Sequence, residues 1–468
     1  MATDQETLRA WCDAHDTASL RAIARAAAKL ARMRGPLAPW AALALARLAQ
    51  ARSVPQVPKL LRAALATSTD LGPRIALALV PHARDAADAA ALLARAETST
   101  DASIVVEASL HRARIAQRAG QLEAARAIVA RLHDARVTPR VRAGIDVVEG
   151  IQLLAEGKRT AAHERLMRAF RWAAGNGADF EASEIAGMLG NGFHDLGELA
   201  AATRWYDGAI RHARIAESDL TVGIFSLYAG WVLHERGRIA PARACYRRAR
   251  RVLAEPDVRR FRCHAEALLA LAQRGPAIER RMTLAKMATE LTSLGDHARA
   301  NAIAILGVVL DAEEIAQAKA PALLVLRAAK ALERAPTSDD ERIAHRMARR
   351  ALVRATPKRR ADLVIATDGT WFRVGARAAS LAKDPTQARL LVALVLASLE
   401  QRRVGSDELI AVGWPGERMR ADAAMHRLHV ALSTLRSRGL GPRLVRDAHG
   451  YAIVARSIAI DVRTIERD

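Results

Sequence analysis

Between Asp422 and Arg438, the residues Met425, Leu428, Leu432 and Leu435 recur at spacings of three and four. That is a helical stripe which must turn toward a core. The opposite flank carries His426, Arg427, His429, Val430, Ser433 and Thr434. Such side chains suit hydrogen bonding to base edges, because a guanidinium fork matches guanine O6 and N7 and a hydroxyl meets either base type. A single helix also fits the major groove of duplex DNA. Arg427 is the expected main base reader, with His426, His429 and Ser433 behind it. Arg418 and Arg420 before the helix, and Arg436 and Arg438 at its end, suit phosphate contacts; Arg446 and His449 in a following hairpin reach an adjacent groove or backbone.

Signatures of catalysis are missing. Glu156-Gly157-Lys158-Arg159-Thr160 lacks the first glycine and the strand of a phosphate loop. Neither a Gly-x-Ser-x-Gly elbow, a His-Glu-x-x-His zinc helix nor a kinase catalytic loop occurs. Cys12, Cys245 and Cys263 are far from any Cys-x-x-Cys spacing, so neither a disulfide framework nor a zinc site is expected, and a reducing cytoplasm fits. The expectation is a binding protein with no catalytic residues, no cofactor and no metal.

The elements that position these residues follow from composition. Hydrophobic residues are 51 % of the 468, yet aromatics are only 4 %, so alanine and leucine dominate. Ala, Leu and Arg favour helices over strands, which predicts a mainly α protein. No apolar run is long enough to span a bilayer, and Met1 to Leu20 carries Asp4, Glu6, Asp13 and Asp16 in place of a secretory core. The formal charge of +22 suits a polyanion, nucleic acid before membrane.

Self-similarity organises the middle of the chain. Gly150, Gly157, Ala162 and Ala169 recur forty residues on as Gly190, Gly197, Ala202 and Ala209, and again as Gly230, Gly237, Ala242 and Ala249. Tyr206 and Tyr246 hold equivalent places, and a weaker copy lies at Ala113, Ala116, Gly120 and Ala125. The first small residue lets two antiparallel helices approach, and the second glycine ends the first helix in a left-handed turn. Position by position this resembles the tetratricopeptide repeat, though with a step of 40 in place of 34. The resemblance implies a helical solenoid whose concave groove is lined by Asn191, His194, Asp195, Trp231, His234 and Glu235, a place for a ligand, a protein or a peptide partner.

The domain plan is degenerate helical repeats over 1–110, tetratricopeptide-like repeats over 111–258, further repeats over 259–340, a basic helix or linker over 341–360, and a last domain over 361–468. In the linker, Arg342, Arg346, Arg349, Arg350, Arg354, Lys358, Arg359 and Arg360 form a run without acids, ready to lie along a phosphate backbone.

Past Ala361 the apolar period becomes two. Leu363 and Ile365, then Trp371 and Arg373, flank the turn Thr367-Asp368-Gly369. Ala379-Ser380-Leu381 follows, then a helix opened by Pro385, a second capped by Ser406 and a third to Gly439. The hairpin Leu444–Arg446, Tyr451–Val454 comes last. This order, with the Ser406-Asp407-Glu408-Leu409-Ile410 helix leading to Trp414, the pair Leu435-Arg436 and Gly450-Tyr451, resembles the OmpR/PhoB-type winged-helix DNA-binding domain of bacterial transcription regulators. The resemblance implies a cytoplasmic regulator that binds double-stranded DNA and senses through its solenoid. The rival expectations are an adaptor whose groove and winged helix both bind protein, and generic polyanion binding through Arg342–Arg360.

Overall fold

A computed structural model describes residues 5–14, 16–51, 54, 56–133, 137–253, 258–356 and 361–462. The chain is mainly α, a helical array followed by a small α+β segment with six short strands among the described residues. It divides into two compact units, Met1–Ala265 and Glu266–Asp468.

In the first unit the forty-residue step becomes helix pairs. Pro139–Ala155 packs on Arg159–Gly175, Asp179–Asp195 on Leu199–Ile215, and Asp219–Glu235 on Ile239–Val252. Five of these six helices are 17 residues long and joined by three-residue turns, which accounts for the long step. Gly157, Gly197 and Gly237 end the first helix of each pair at φ of +74°, +76° and +77°. A Cβ at Gly150, Gly190 or Gly230 would fall within 2.9 Å of the side chain of Leu166, Tyr206 or Tyr246. Close approach is thus built into the repeat, and Ala162, Ala169, Ala202, Ala209, Ala242 and Ala249 are fully buried beside it.

The N-terminal helices are not simply stacked on this series. The helix Thr17–Leu30 reaches turns between pairs: the Thr17 amide donates to the Gly177 carbonyl at 3.0 Å, and its hydroxyl to Asp179 Oδ2 at 2.7 Å. Arg21 pairs with Glu217 at 3.0 Å.

The second unit begins with helices Ala277–Ser293, His297–Gln317, Ala322–Lys330 and Asp339–Ala355. Strands β1 (Leu363–Ala366), β2 (Trp371–Val374) and β3 (Arg377–Ser380) form an antiparallel meander, and β6 (Ile458–Asp461) joins β1 in parallel. Between β3 and β6 come helices Pro385–Leu399, Ser406–Gly413 and Ala421–Leu435, then the hairpin of β4 (Leu444–Asp447) and β5 (Gly450–Ile453). Strand β1 is buried at all four residues, not at alternate ones, and its Leu363 and Ile365 belong to a core that also holds Val325, Leu326 and Ala329 of Ala322–Lys330. The change of sequence pattern near residue 360 therefore falls inside one hydrophobic core.

Two element ends differ from expectation. Gly405, not Ser406, precedes the second helix as its cap residue. The third helix ends at Leu435, and Arg436–Leu440 continues as a wider turn with Gly439 at φ +137°. That turn is tied back to the sheet side by Arg438 Nη1, which donates to the Ser380 carbonyl at 3.1 Å.

Candidate nucleic-acid interface

The third helix owes its two faces to the apolar stripe. Ala424, Leu428, Ala431, Leu432 and Leu435 are buried, with Met425 at the margin. His426, Arg427, His429, Val430 and Ser433 are exposed, and Thr434 is half-buried. Val430, a large apolar side chain, stays 53 % exposed in the middle of this polar face. A valine so placed has the chemistry to meet a thymine methyl.

Arg418 and Arg420 are exposed and make no ion pair among the described residues. Arg420 is the cap residue of the helix and supplies no side-chain hydrogen bond to its first turn. The start of the helix thus presents free amide groups beside two cations, an arrangement that favours an anion. Alongside, Lys383, Thr386, Trp414, His426, Arg427 and Thr434 line an open cleft of about 520 Å³. Segment 361–468 has 16 Lys and Arg against 12 Asp and Glu, a balance of +4, so its cations act by position and not by number.

Arg427 is held, not loose. Its Nη1 lies 3.0 Å from Glu417 Oε2 and 3.3 Å from Met419 Sδ. Sequence spacing gave no sign of this, since the contact crosses from the turn before the helix.

Arg436 and Arg438, expected at phosphates, are half-buried and engaged by the protein itself. Arg436 Nε donates to the Leu444 carbonyl at 3.2 Å, and Arg438 pairs with Asp384 at 2.7 Å. Both brace the end of the helix because the chain turns there toward the sheet. In the hairpin, Arg446 is exposed and stacks over the Tyr451 ring at 5.4 Å. His449 is exposed at the tip, where its amide donates to Asp447 Oδ1 at 2.9 Å.

The expected concave groove needs the larger correction. Trp231 and His194 are fully buried, and His234 and Glu235 nearly so. His194 Nε2 lies 3.2 Å from Glu235 Oε2, and the His194 ring meets Trp231 edge-on at 5.8 Å. The Tyr246 hydroxyl lies 3.3 Å from His234 Nδ1. Asn191 is half-buried and accepts the Tyr206 hydroxyl at 2.7 Å, while Asp195 faces Arg159 at 3.5 Å. His194, Trp231 and Glu235 pack successive pairs together, Asn191 and His234 meet the tyrosine of their own pair, and the four buried side chains do not line an open surface. Burial on all sides is the reason: 13 of the 17 residues of Asp219–Glu235 are buried. Among the described residues an open cavity of about 360 Å³ in the array is walled by Leu154, Leu166, Met188, Phe193 and Leu196, with Arg159 beside them.

The basic run also changes character. Asp339–Ala355 buries Ile343, Ala344, Met347, Ala348 and Leu352, its first turn is acidic, and Arg342 pairs with Asp339. Only Arg350 and Arg354 of its arginines are exposed; Lys358, Arg359 and Arg360 lie outside the described residues. It is a packed helix and not a free basic bridge.

Among the described residues no helix is long and apolar enough to cross a membrane. Compared with known protein families and with curated proteins, the chain matches none.

Proposed function

We propose that this chain is a sequence-specific DNA-binding regulator, with Ala421–Leu435 as the helix that enters the major groove. The observation that carries the proposal is the contiguous exposed face of His426, Arg427, His429, Val430 and Ser433 opposite the buried Leu428, Leu432 and Leu435. The order of three strands, three helices and a hairpin supports a winged helix of the OmpR/PhoB type. Arg418 and Arg420 would take phosphates at the helix start, and Arg446 and His449 would follow the backbone or an adjacent minor groove. No step of covalent chemistry is assigned to any residue.

In this reading the helix pairs, of tetratricopeptide type, are the sensing part, with the cavity beside Leu154 and Phe193 as the place for a ligand or a partner's apolar side chain. A ligand can shift DNA binding only through different affinities for two arrangements of the protein. Within the second unit, Ala322–Lys330 shares one hydrophobic core with the strands and with Leu428, Leu432 and Leu435 of the reading helix.

Footprinting of the full-length protein on genomic fragments tests the proposal. Protected sites that persist at physiological salt are expected, and joint replacement of Arg420 and Arg427 by Ala should abolish them. Weak, sequence-blind association would refute it. Partner capture unaffected by the same double substitution would favour the adaptor instead.

A further inference from the structure

We infer that Glu417 is a specificity-determining residue of the reading face, holding Arg427 so that the two together select a G·C base pair. The inference rests on the DNA-reading function proposed above and adds which pair the face selects and how.

The geometry carries it. Glu417 lies in the turn between the second and third helices, ten residues before Arg427, and each side chain is 53 % exposed. A pair so open to water adds little to stability. Its effect is on orientation. With Nη1 fixed by Glu417 Oε2 and Met419 Sδ, the Nε and Nη2 edge of the guanidinium makes no hydrogen bond among the described residues. That edge is one of the forks by which arginine takes guanine O6 and N7. An arginine that is already oriented loses less rotamer freedom on binding.

Glu417 also contributes directly. Its Oε1 makes no hydrogen bond among the described residues, and a carboxylate oxygen accepts from cytosine N4. Guanine acceptors and the cytosine amino group share the major-groove edge of one base pair. At an A·T pair adenine presents N7 beside the N6 amino donor, so the arginine fork keeps one acceptor where guanine offers two, and the second charge-assisted hydrogen bond is lost.

The test is selection from a randomised duplex pool by the full-length protein, comparing wild type with Glu417→Ala, Glu417→Gln and Arg427→Lys. Wild type should enrich G·C at one position. Both Glu417 variants and Arg427→Lys should lower that enrichment by about tenfold while preferences at other positions hold. Affinity of Glu417→Ala for random duplex should rise, since a charge that repels phosphates is gone. Unchanged enrichment in the Glu417 variants overturns the inference. So does a rise in affinity by one factor for every duplex, which would make Glu417 a mask and not a selector. Loss of preference in Arg427→Lys alone leaves the DNA-reading function standing and removes Glu417 from it. A wild type with no preferred base at any position overturns both.

Discussion

Tyr206 lies against Gly190 so closely that a Cβ there would fall 2.8 Å from its ring, and the Tyr206 hydroxyl donates to Asn191 at 2.7 Å. Gly190→Ala should therefore destabilise the first unit by about 1–3 kcal/mol, because overpacking a rigid buried ring outweighs the helix propensity gained. Gly208, in the helix Leu199–Ile215, is the control. Its nearest neighbour to a new Cβ is the end of the Arg211 side chain at 3.9 Å. Gly208→Ala should gain about 0.8–1 kcal/mol. Thermal unfolding of the two variants decides the matter, and equal shifts of one sign would count against the packing argument.

Cations that meet phosphates differ from cations that brace the fold in their salt dependence. Arg418→Ala and Arg420→Ala should each reduce the slope of log K against log salt by about 0.9. Arg438→Ala should leave that slope unchanged, because Asp384 and the Ser380 carbonyl already engage its guanidinium. Equilibrium binding across a salt series measures all three. A slope change for Arg438 as large as for Arg418 would contradict the assignment.

Acid should loosen the second unit in two stages. Glu341 is 1 % exposed; burial acts to raise its pKa, but the Thr337 amide, Asn301, the Thr337 hydroxyl and Arg334 outweigh that and lower it from 4.5. His345 is held below 6.5 by burial first and then by Arg349, with Arg334 adding to this and Glu341 opposing it. Both folded-state pKa values are depressed, so each group stabilises the fold above its unfolded value and loses that contribution as pH falls through the folded one. The melting temperature should decline below pH 6.5 and again below 4.5. Glu341→Gln should flatten the lower limb and cost about 1–3 kcal/mol at neutral pH through lost charge-assisted hydrogen bonds. An unaltered pH profile in that variant would refute the second stage.

Segment 361–468 should not fold well alone. Val325, Leu326 and Ala329 are buried in one core with Leu391, Leu394 and Ile460, and Arg327 pairs with Glu400 at 2.8 Å. Expressed without residues 266–360, the segment should bind a hydrophobic dye and melt without a sharp transition, whereas 266–468 should melt cooperatively. A sharp transition in the shorter piece would show that the shared core is dispensable.

Local periodicity determined much of this protein. The spacing of Gly190, Gly197 and Ala202 prescribes a close helix pair with a left-handed turn, and the stripe of Leu428, Leu432 and Leu435 prescribes which flank of the third helix stays open. Both are matters of residues a few positions apart, where backbone geometry alone relates one side chain to the next. Tertiary structure decided what each face meets. Trp231 and Glu235 share one helix face and His194 holds the place of His234 one repeat earlier, but neighbouring helices close over all of them. Arg436 and Arg438 read as free cations until the chain turns back upon them, and Glu417 approaches Arg427 only because the turn before the helix folds over its face. Periodicity says which side chains stand together; only the packing of distant segments says whether water, protein or a ligand stands opposite.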